Sequence, residues 1–219
     1  MKPYKECELG TNKTYQEVMG GFLPALADFY QDPTEYAMEP FRIFGNLYYV
    51  GDKKVCMHLV DTGAGLILFD SGYSHTYDML LHSIRALGFS PADIKILIHS
   101  HGHFDHFGCG DRLREQYGVK IYMSAVDTAL TRQMPGRALM HLAPGKEDRI
   151  CYPDVMIEDG DVIALGNTRI RCVLSPGHTP GTMSFFFDVT DNGCTYLAGE
   201  FGGAGLNAVR LPYMLHYQL

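Results

Sequence analysis

The sequence predicts an α/β protein in which two mixed β-sheets pack against each other between flanking helices. Segments typical of strands fall in two blocks, residues 41–72 and 155–199. Each block is accompanied by segments whose apolar residues recur at helical spacing. A chain of 219 residues with 46% hydrophobic content is long enough to bury one sizeable core. We therefore expect one sandwich rather than several small domains.

The predicted domain is preceded by an accessory segment. Residues 1–40 are predicted to be an N-terminal helical accessory segment, because apolar side chains from Tyr15 to Leu26 recur at helical spacing. Such a stripe is typical of core packing, and a lid or a dimer contact is the alternative. Residues 41–219 form the main domain. Its predicted elements are strands over 41–72, a helix over 75–88, a strand over 94–98, a helix from 105 to 118, a strand over 120–123, a helix begun by Ser124 and running to about 133, a loop over 134–154, and strands over 155–199.

The segment from His101 to His106 reads His-Gly-His-Phe-Asp-His and holds four potential metal ligands within six residues. Neutral imidazole and carboxylate suit Zn²⁺, with Fe and Mn as alternatives where a site is richer in oxygen. A purification tag would be a terminal homopolymer, whereas this run follows the apolar segment Ile94–Ile98 in mid-chain. The pattern predicts a metal site.

The local structure expected around this motif favours two ions. The ligands lie on a loop between a predicted strand and a predicted helix, where open α/β sheets place their chemistry. His101 and His103 are two residues apart, so an extended backbone points both rings the same way. Gly102 between them lets the backbone bend around an ion. Asp105 and His106 then point elsewhere, toward a second ion.

Three more candidate residues stand at the ends of apolar strands: Asp70, His178 and Glu200. A lone loop histidine is more often an ordinary residue than a ligand. His178, however, follows a motif that lacks a third ligand for its first ion, which makes it a candidate. His99 is predicted to support the loop, and His58 is one of several histidines predicted to be structural or exposed.

With these segments the chain resembles the metallo-β-lactamase fold superfamily over about residues 40–205. The matching pieces are the Asp70 segment, the histidine motif, the His178 loop and the Glu200 strand, and the histidine motif is highly specific. The segment Pro40–Gly51 also resembles the first strands of the third subclass of metallo-β-lactamases. The resemblance implies the αββα sandwich of this family.

The resemblance also implies a set of metal ligands. Glu200 matches the place where hydrolases such as glyoxalase II carry a bridging Asp, although Glu is one methylene longer, and an exposed or supporting carboxylate is the alternative. Asp70 would hold a ligand imidazole in its tautomer, and a turn cap at the strand end is the alternative. The implied ligands are His101, His103 and His178 for the first zinc ion, and Asp105 and His106 for the second.

The family completes its second site with one more histidine downstream of the Glu200 region. His216 is the only later histidine, and its apolar surroundings do not favour it as a ligand. We therefore expect the domain to lack the family's C-terminal part. Either the chain is a fragment, or the gap is filled by residues 1–40 or by a partner subunit.

In function, the resemblance implies a zinc hydrolase in which a metal-bound hydroxide attacks a carbonyl such as that of a β-lactam, lactone or thioester. Asp105 would both bind metal and orient the nucleophile, which makes it the catalytic candidate. The subclass resemblance favours a β-lactam. One alternative is a redox enzyme, whose relatives usually carry a carboxylate in place of His103. Another is an inactive or one-metal protein whose second site is incomplete.

Composition limits the partners. A net charge of −7 and a pI near 5.7 argue against nucleic acid, and no apolar run reaches membrane-spanning length. A small acyl substrate is expected, and a homo-oligomer stays open. The six cysteines form no Cys-x-x-Cys pair, and Cys56 and Cys172 are predicted to lie in apolar strands as small hydrophobes. Reduced thiols and a start at Met1 without a secretory signal predict the cytoplasm.

Overall fold

A computed structural model with side chains describes residues 26–145 and 148–203, and these fall into two units that divide after Ala37. In the first unit, residues 26–31 are helical and a 3₁₀ turn follows at Pro33–Tyr36. The Asp32 side chain caps this turn by accepting from the Thr34 N–H at 3.0 Å. Most of the predicted helical stripe lies outside the described residues, so the accessory segment over 1–40 stays a prediction.

The second unit contains two β-sheets, as predicted. Within the described residues the first sheet has seven strands and the second has four, and in both sheets the strands that follow each other along the chain are hydrogen-bonded neighbours. The first sheet consists of β1 Phe41–Phe44, β2 Leu47–Tyr49, β3 His58–Asp61, β4 Leu66–Phe69, β5 Ile94–Ile98, β6 Lys120–Ser124 and β7 Val155–Ile157. The second consists of β8 Val162–Leu165, β9 Thr168–Leu174, β10 Met183–Asp191 and β11 Cys194–Glu200.

Among the described residues, only the first sheet is mixed. Strands β1 to β4 pair antiparallel, whereas β4 to β7 pair parallel. Within the described residues the second sheet is antiparallel throughout, contrary to the expectation of two mixed sheets. The reason is that hairpin turns join its strands. Asn192 and Gly193 both have positive φ, 48° and 78°, which is the backbone of the tight turn between β10 and β11.

The core lies between the sheets. Ile67 and Phe69 of β4 face the second sheet, and the Phe69 ring lies 5.2 Å from that of Phe185 and 5.4 Å from that of Phe187. Alternation along the strand sends Leu66 and Leu68 to the other face, where they are also buried. Because both faces are covered, β4 reads as an unbroken apolar run.

The described part of the second unit contains four α-helices: α1 Tyr77–Ala86, α2 Phe104–Phe107, α3 Gly110–Tyr117 and α4 Ala125–Gln133. The single helix predicted from Asp105 to Gly118 is thus two. The break occurs because the Gly108 N–H donates to the Gly72 carbonyl at 2.8 Å instead of continuing the helix. Ser124 caps α4 as predicted, since its hydroxyl accepts from the Asp127 N–H at 3.0 Å.

Two further expectations can be compared with the structure. The loop over 134–154 contains two short 3₁₀ turns, Pro135–Ala138 and Met140–Leu142, and its residues 146–147 lie outside the description. Cys172 lies buried in β9 as predicted, but Cys56 is exposed and lies outside any strand, because the chain between β2 and β3 forms a loop there. Among the described residues no helix is both long and apolar enough to cross a membrane.

Candidate metal centre

The candidate residues meet at the carboxyl ends of two parallel strands. β4 ends at Phe69 and β5 ends at Ile98, so the Asp70 segment and the histidine motif leave the same edge of the sheet. The Asp70 N–H donates to the Ile98 carbonyl at 2.9 Å, which joins the two strand ends. Asp70 has φ +56°, a left-handed conformation that Asp tolerates better than most residues.

Backbone hydrogen bonds then hold the motif in place. The Ser71 N–H donates to the His106 carbonyl at 2.8 Å, and the Gly108 N–H donates to the Gly72 carbonyl at 2.8 Å. A side chain at Gly108 would bring its Cβ within 2.3 Å of the Ser74 nitrogen, so the two segments approach closely only because this residue is glycine. The conformation of the motif is therefore fixed by main-chain contacts as well as by its side chains.

Three imidazoles converge at this edge, from His101, His103 and His178. One nitrogen from each lies within 4.8 Å of the others, and His103 Nδ1 is 3.0 Å from His178 Nε2. His101 Nδ1 lies 2.9 Å from the Gly202 carbonyl, to which it can only donate, so the lone pair stays on Nε2. That Nε2 is buried and has no hydrogen-bond partner among the described residues. A buried nitrogen with a free lone pair is what a metal ligand requires.

The electrostatics of these rings also suit a cation. Burial lowers the pKa of His101 and of His103 well below the usual value, and the neighbouring imidazoles lower it further. Both rings are therefore neutral at physiological pH, which is the form that binds metal. Three imidazoles within reach of one ion match the donor set of a zinc site with an open coordination position. The residues present thus fit a zinc ion.

Asp105 and His106 lie together beside the three histidines. The His106 ring centre is 4.0 Å from that of His101, and His106 Nε2 is 3.6 Å from Asp105 Oδ2. Burial alone would lower the pKa of His106, but the charges of Asp70 and Asp105 outweigh it and raise the pKa to about 9. The negative potential that raises this pKa also favours a bound cation. Within residues 26–145 and 148–203, no third ligand joins this pair in a cluster, and His216 lies outside that part.

Asp70 contacts His106 of the histidine motif and Ser100, which directly precedes the motif. Its Oδ2 lies 2.8 Å from His106 Nδ1 and accepts from the Ser100 hydroxyl at 2.7 Å. Its Oδ1 accepts from the Ser100 N–H at 2.7 Å. The carboxylate thus contacts the His106 imidazole and also accepts hydrogen bonds from the turn after β5. The sequence had offered the orientation of an imidazole and the capping of a turn as alternatives, and the two contacts occur together.

Glu200 contacts a residue that sequence reasoning missed. Its Oε1 lies 3.1 Å from His58 Nδ1, and it does not join the cluster of His101, His103 and His178. Burial raises the pKa of Glu200, although the hydrogen bond from His58 opposes this. His58 was expected to be merely structural or exposed. Its pairing opposite Phe69, next to the Asp70 segment, places it at this edge, and no local signal in the sequence indicates that pairing.

His99 supports the loop through its backbone rather than through its ring. Its N–H donates to the Tyr122 carbonyl at 2.9 Å, which continues the pairing of β5 with β6. The ring is fully buried, and neither nitrogen has a hydrogen-bond partner among the described residues. Burial lowers the pKa of His99 to about 4, so the ring is neutral and takes no part in the cluster.

With this fold and this cluster, comparison with known proteins identifies the class. The family model of the metallo-beta-lactamase superfamily matches residues 51–191, which is more than half of the chain. The chain belongs to the metallo-beta-lactamase superfamily.

Solved structures of subclass B3 enzymes are similar to it. BJP-1 of Bradyrhizobium japonicum, a subclass B3 metallo-beta-lactamase, is 26% identical with a TM-score of 0.70, over 84% of this chain and 72% of that one. The metallo-beta-lactamase GOB-18 from Elizabethkingia meningoseptica is 33% identical with a TM-score of 0.68, over 75% of this chain and 61% of that one. The resemblance to the third subclass, predicted from the sequence, is confirmed.

Curated relatives have other names. A probable polyketide biosynthesis zinc-dependent hydrolase of Bacillus subtilis is 28% identical over 44% of this chain and 36% of the relative. A hydroxyacylglutathione hydrolase of a Chelativorans species is 28% identical over 49% of this chain and 34% of the relative. The chain thus spans about a third of the length of these two relatives.

Proposed function

We propose that the chain is a metal-dependent hydrolase that uses zinc to cleave a carbonyl compound such as a β-lactam, lactone or thioester. The observation that carries the proposal is the convergence of three imidazoles, those of buried His101 and His103 and of partly buried His178, within 4.8 Å of one another. The first two are neutral because burial lowers their pKa. The printed names of its relatives, which include beta-lactamases and a zinc-dependent hydrolase, support the reaction class.

In the proposed reaction, His101, His103 and His178 hold the zinc ion through ring nitrogens. A bound zinc ion supplies Lewis acidity for the activation of water and of the substrate's carbonyl group. The oxygen of the water attacks the carbonyl carbon, the bond to the leaving nitrogen, oxygen or sulfur breaks, and the proton that the attacking water gives up ends on the leaving atom.

The carboxylates of the site have separate tasks. Asp105 is partly exposed, with 27% of its side chain accessible, so it can reach a water molecule beside the histidines. We assign it the orientation of that water and the binding of a second ion together with His106. Asp70 keeps the His106 ring in place through its 2.8 Å contact. Glu200, which contacts His58, is assigned a supporting role, and direct metal binding by Glu200 stays a prediction.

Metal content and hydrolysis, measured together, test the proposal. Purified protein of confirmed mass should hold at least one zinc ion per chain by plasma mass spectrometry, and it should hydrolyse a member of a panel of β-lactams, lactones and thioesters. Asp105→Ala should lower turnover at least hundredfold. Removing one side chain that takes part in proton transfer typically slows a reaction roughly 10²–10⁴-fold. Asp78→Ala on the exposed side of α1 is the matched control and should leave turnover unchanged.

The alternatives give different results. Zinc binding without hydrolysis of any panel member would favour the one-metal binding protein with an incomplete second site. A chain that holds no metal at all would reject the proposed function.

A further inference from the structure

The carboxylate of Asp127 lies at the meeting point of the two loops that carry the histidine ligands. Asp127 is in the first turn of α4, outside the histidine motif, and only 1% of it is exposed. Its Oδ2 accepts from the Gly102 N–H at 2.8 Å and from the Thr179 hydroxyl at 2.6 Å. Its Oδ1 accepts from the Gly181 N–H at 2.8 Å. Three donors from two distant segments thus share one carboxylate.

These donors stand directly beside the candidate ligands. Gly102 separates His101 from His103, and Thr179 follows His178. The two loops are 75 residues apart in sequence where His103 meets His178. Asp127 therefore bridges the loop that carries His101 and His103 and the loop that carries His178.

The bridge is held firmly at both ends. A Cβ on Gly181 would lie 2.3 Å from the Ser124 hydroxyl and 2.6 Å from the Asp127 carboxyl carbon, so only glycine permits this approach. On the helix side, the Ser124 hydroxyl accepts from the Asp127 N–H, and the Thr131 hydroxyl donates to the Asp127 carbonyl at 2.8 Å. A buried carboxylate held this way cannot move without breaking several hydrogen bonds.

We propose that Asp127 is a positioning residue of the metal centre, which sets the spacing between the loop of His101 and His103 and the loop of His178. It does not bind the metal; it acts through Gly102, Thr179 and Gly181. Outer groups that orient ligands typically change metal affinity roughly 10- to 100-fold. The inference rests on the proposed function, since it takes the three histidines to be zinc ligands.

The first test replaces Asp127 with Asn, which keeps the shape but offers one acceptor oxygen instead of two. The amide NH₂ group must then face the N–H of Gly102 or of Gly181, so at least one of the hydrogen bonds between Asp127 and the two loops is lost. In the full chain, we expect Asp127→Asn to weaken zinc binding at least tenfold in competition with a chromogenic chelator. The visible spectrum of the cobalt(II) form should also change, because it reports the ligand geometry.

Asp154→Asn is the matched control. Asp154 Oδ2 accepts from the Ile121 N–H at 2.8 Å and Oδ1 contacts Arg114, so it bonds backbone in the same way without touching either ligand loop. We expect the zinc affinity of this variant to lie within threefold of that of the wild type, and its cobalt(II) spectrum to be unchanged. This holds even if the substitution changes the stability of the metal-free protein. If both variants lost zinc affinity equally, or if Asp127→Asn lost none, Asp127 would have no positioning role.

A second pair of variants decides the matter if Asp127→Asn does not fold. Thr179→Val removes one hydroxyl from the bridge, and Thr179→Ser keeps it. Thr179→Val should weaken zinc binding and Thr179→Ser should restore it, whereas equal affinity of the two would overturn the inference. Failure of the proposed function is distinguishable, because it is measured on the wild-type chain. Zinc binding without hydrolysis would reject the hydrolase alone, whereas a wild-type chain that binds no zinc would overturn both proposals.

Discussion

Replacing His99 with Leu should reduce the acid sensitivity of the metal-free chain. The His99 ring is fully buried without a hydrogen-bond partner among the described residues, and burial lowers its pKa from 6.5 to about 4. Between these two values the unfolded chain binds more protons than the folded chain. The stability that depends on a neutral His99 is therefore fully present above pH 6.5 and is lost as the pH falls toward 4.

The size of the effect follows from the two pKa values. Going from pH 7 to pH 5 should cost the wild type about 2 kcal/mol of unfolding free energy through His99 alone, since one pKa unit corresponds to about 1.4 kcal/mol. In His99→Leu this contribution disappears, while those of the other buried histidines are the same in both proteins and cancel in the comparison.

The assay is urea unfolding in the presence of a chelator at pH 7 and pH 5. The wild type should lose about 2 kcal/mol more than His99→Leu between the two pH values. His82→Gln on the exposed face of α1 is the control, and its pH dependence should match that of the wild type. Equal pH dependence of His99→Leu and the wild type would mean that the ring is hydrated or paired, and the reasoning from burial would fail.

Three more outcomes are expected. Phe69→Ala should lower the unfolding free energy by about 3–5 kcal/mol, because it empties the core beside Phe185, whereas Leu197→Ala, at a side chain that is 72% exposed, should change it by less than about 0.5 kcal/mol. Denaturant titrations of both variants measure this, and similar losses would contradict the described core. An alkylating reagent should label exposed Cys56 of the native protein much faster than Cys109, because complete burial shields the Cys109 thiol and raises its pKa. Peptide mapping measures the two labelling rates, and comparable rates would be inconsistent with that burial. Removing zinc with a chelator should lower the melting temperature, and adding it back in excess should restore it, because a ligand that binds only the folded state stabilises it; an unchanged melting temperature would argue against a folded zinc site.

The strands and the three-histidine cluster could be predicted from the sequence because both leave local signals. β4 and β5 are short apolar runs, and the histidine motif holds four potential metal ligands within six residues. His178 could be found because the motif itself lacks a third ligand for the first ion. These inferences need no knowledge of long-range contacts.

The contacts of His58 and Asp127 could not be predicted in the same way. His58 contacts Glu200, which is 142 residues further along the chain, and no spacing pattern in the sequence predicts that contact. Asp127 does stand three residues after Ser124, which is the pattern of a capping box, whose acidic side chain returns to the start of its own helix. In the structure this side chain instead bonds Gly102 and Gly181 of the ligand loops, so a local reading of the pattern gives the wrong partner.

The main-chain bonds that join Ser71 to His106 and Gly72 to Gly108 have a consequence for how such a site can change over time. They use N–H and carbonyl groups, which every substitution except proline retains. Exchanging a ligand side chain therefore alters which ion is preferred without rebuilding the loop that presents it. If the chain binds zinc as proposed, single substitutions of ligand side chains are expected to change its metal preference while these main-chain hydrogen bonds stay in place.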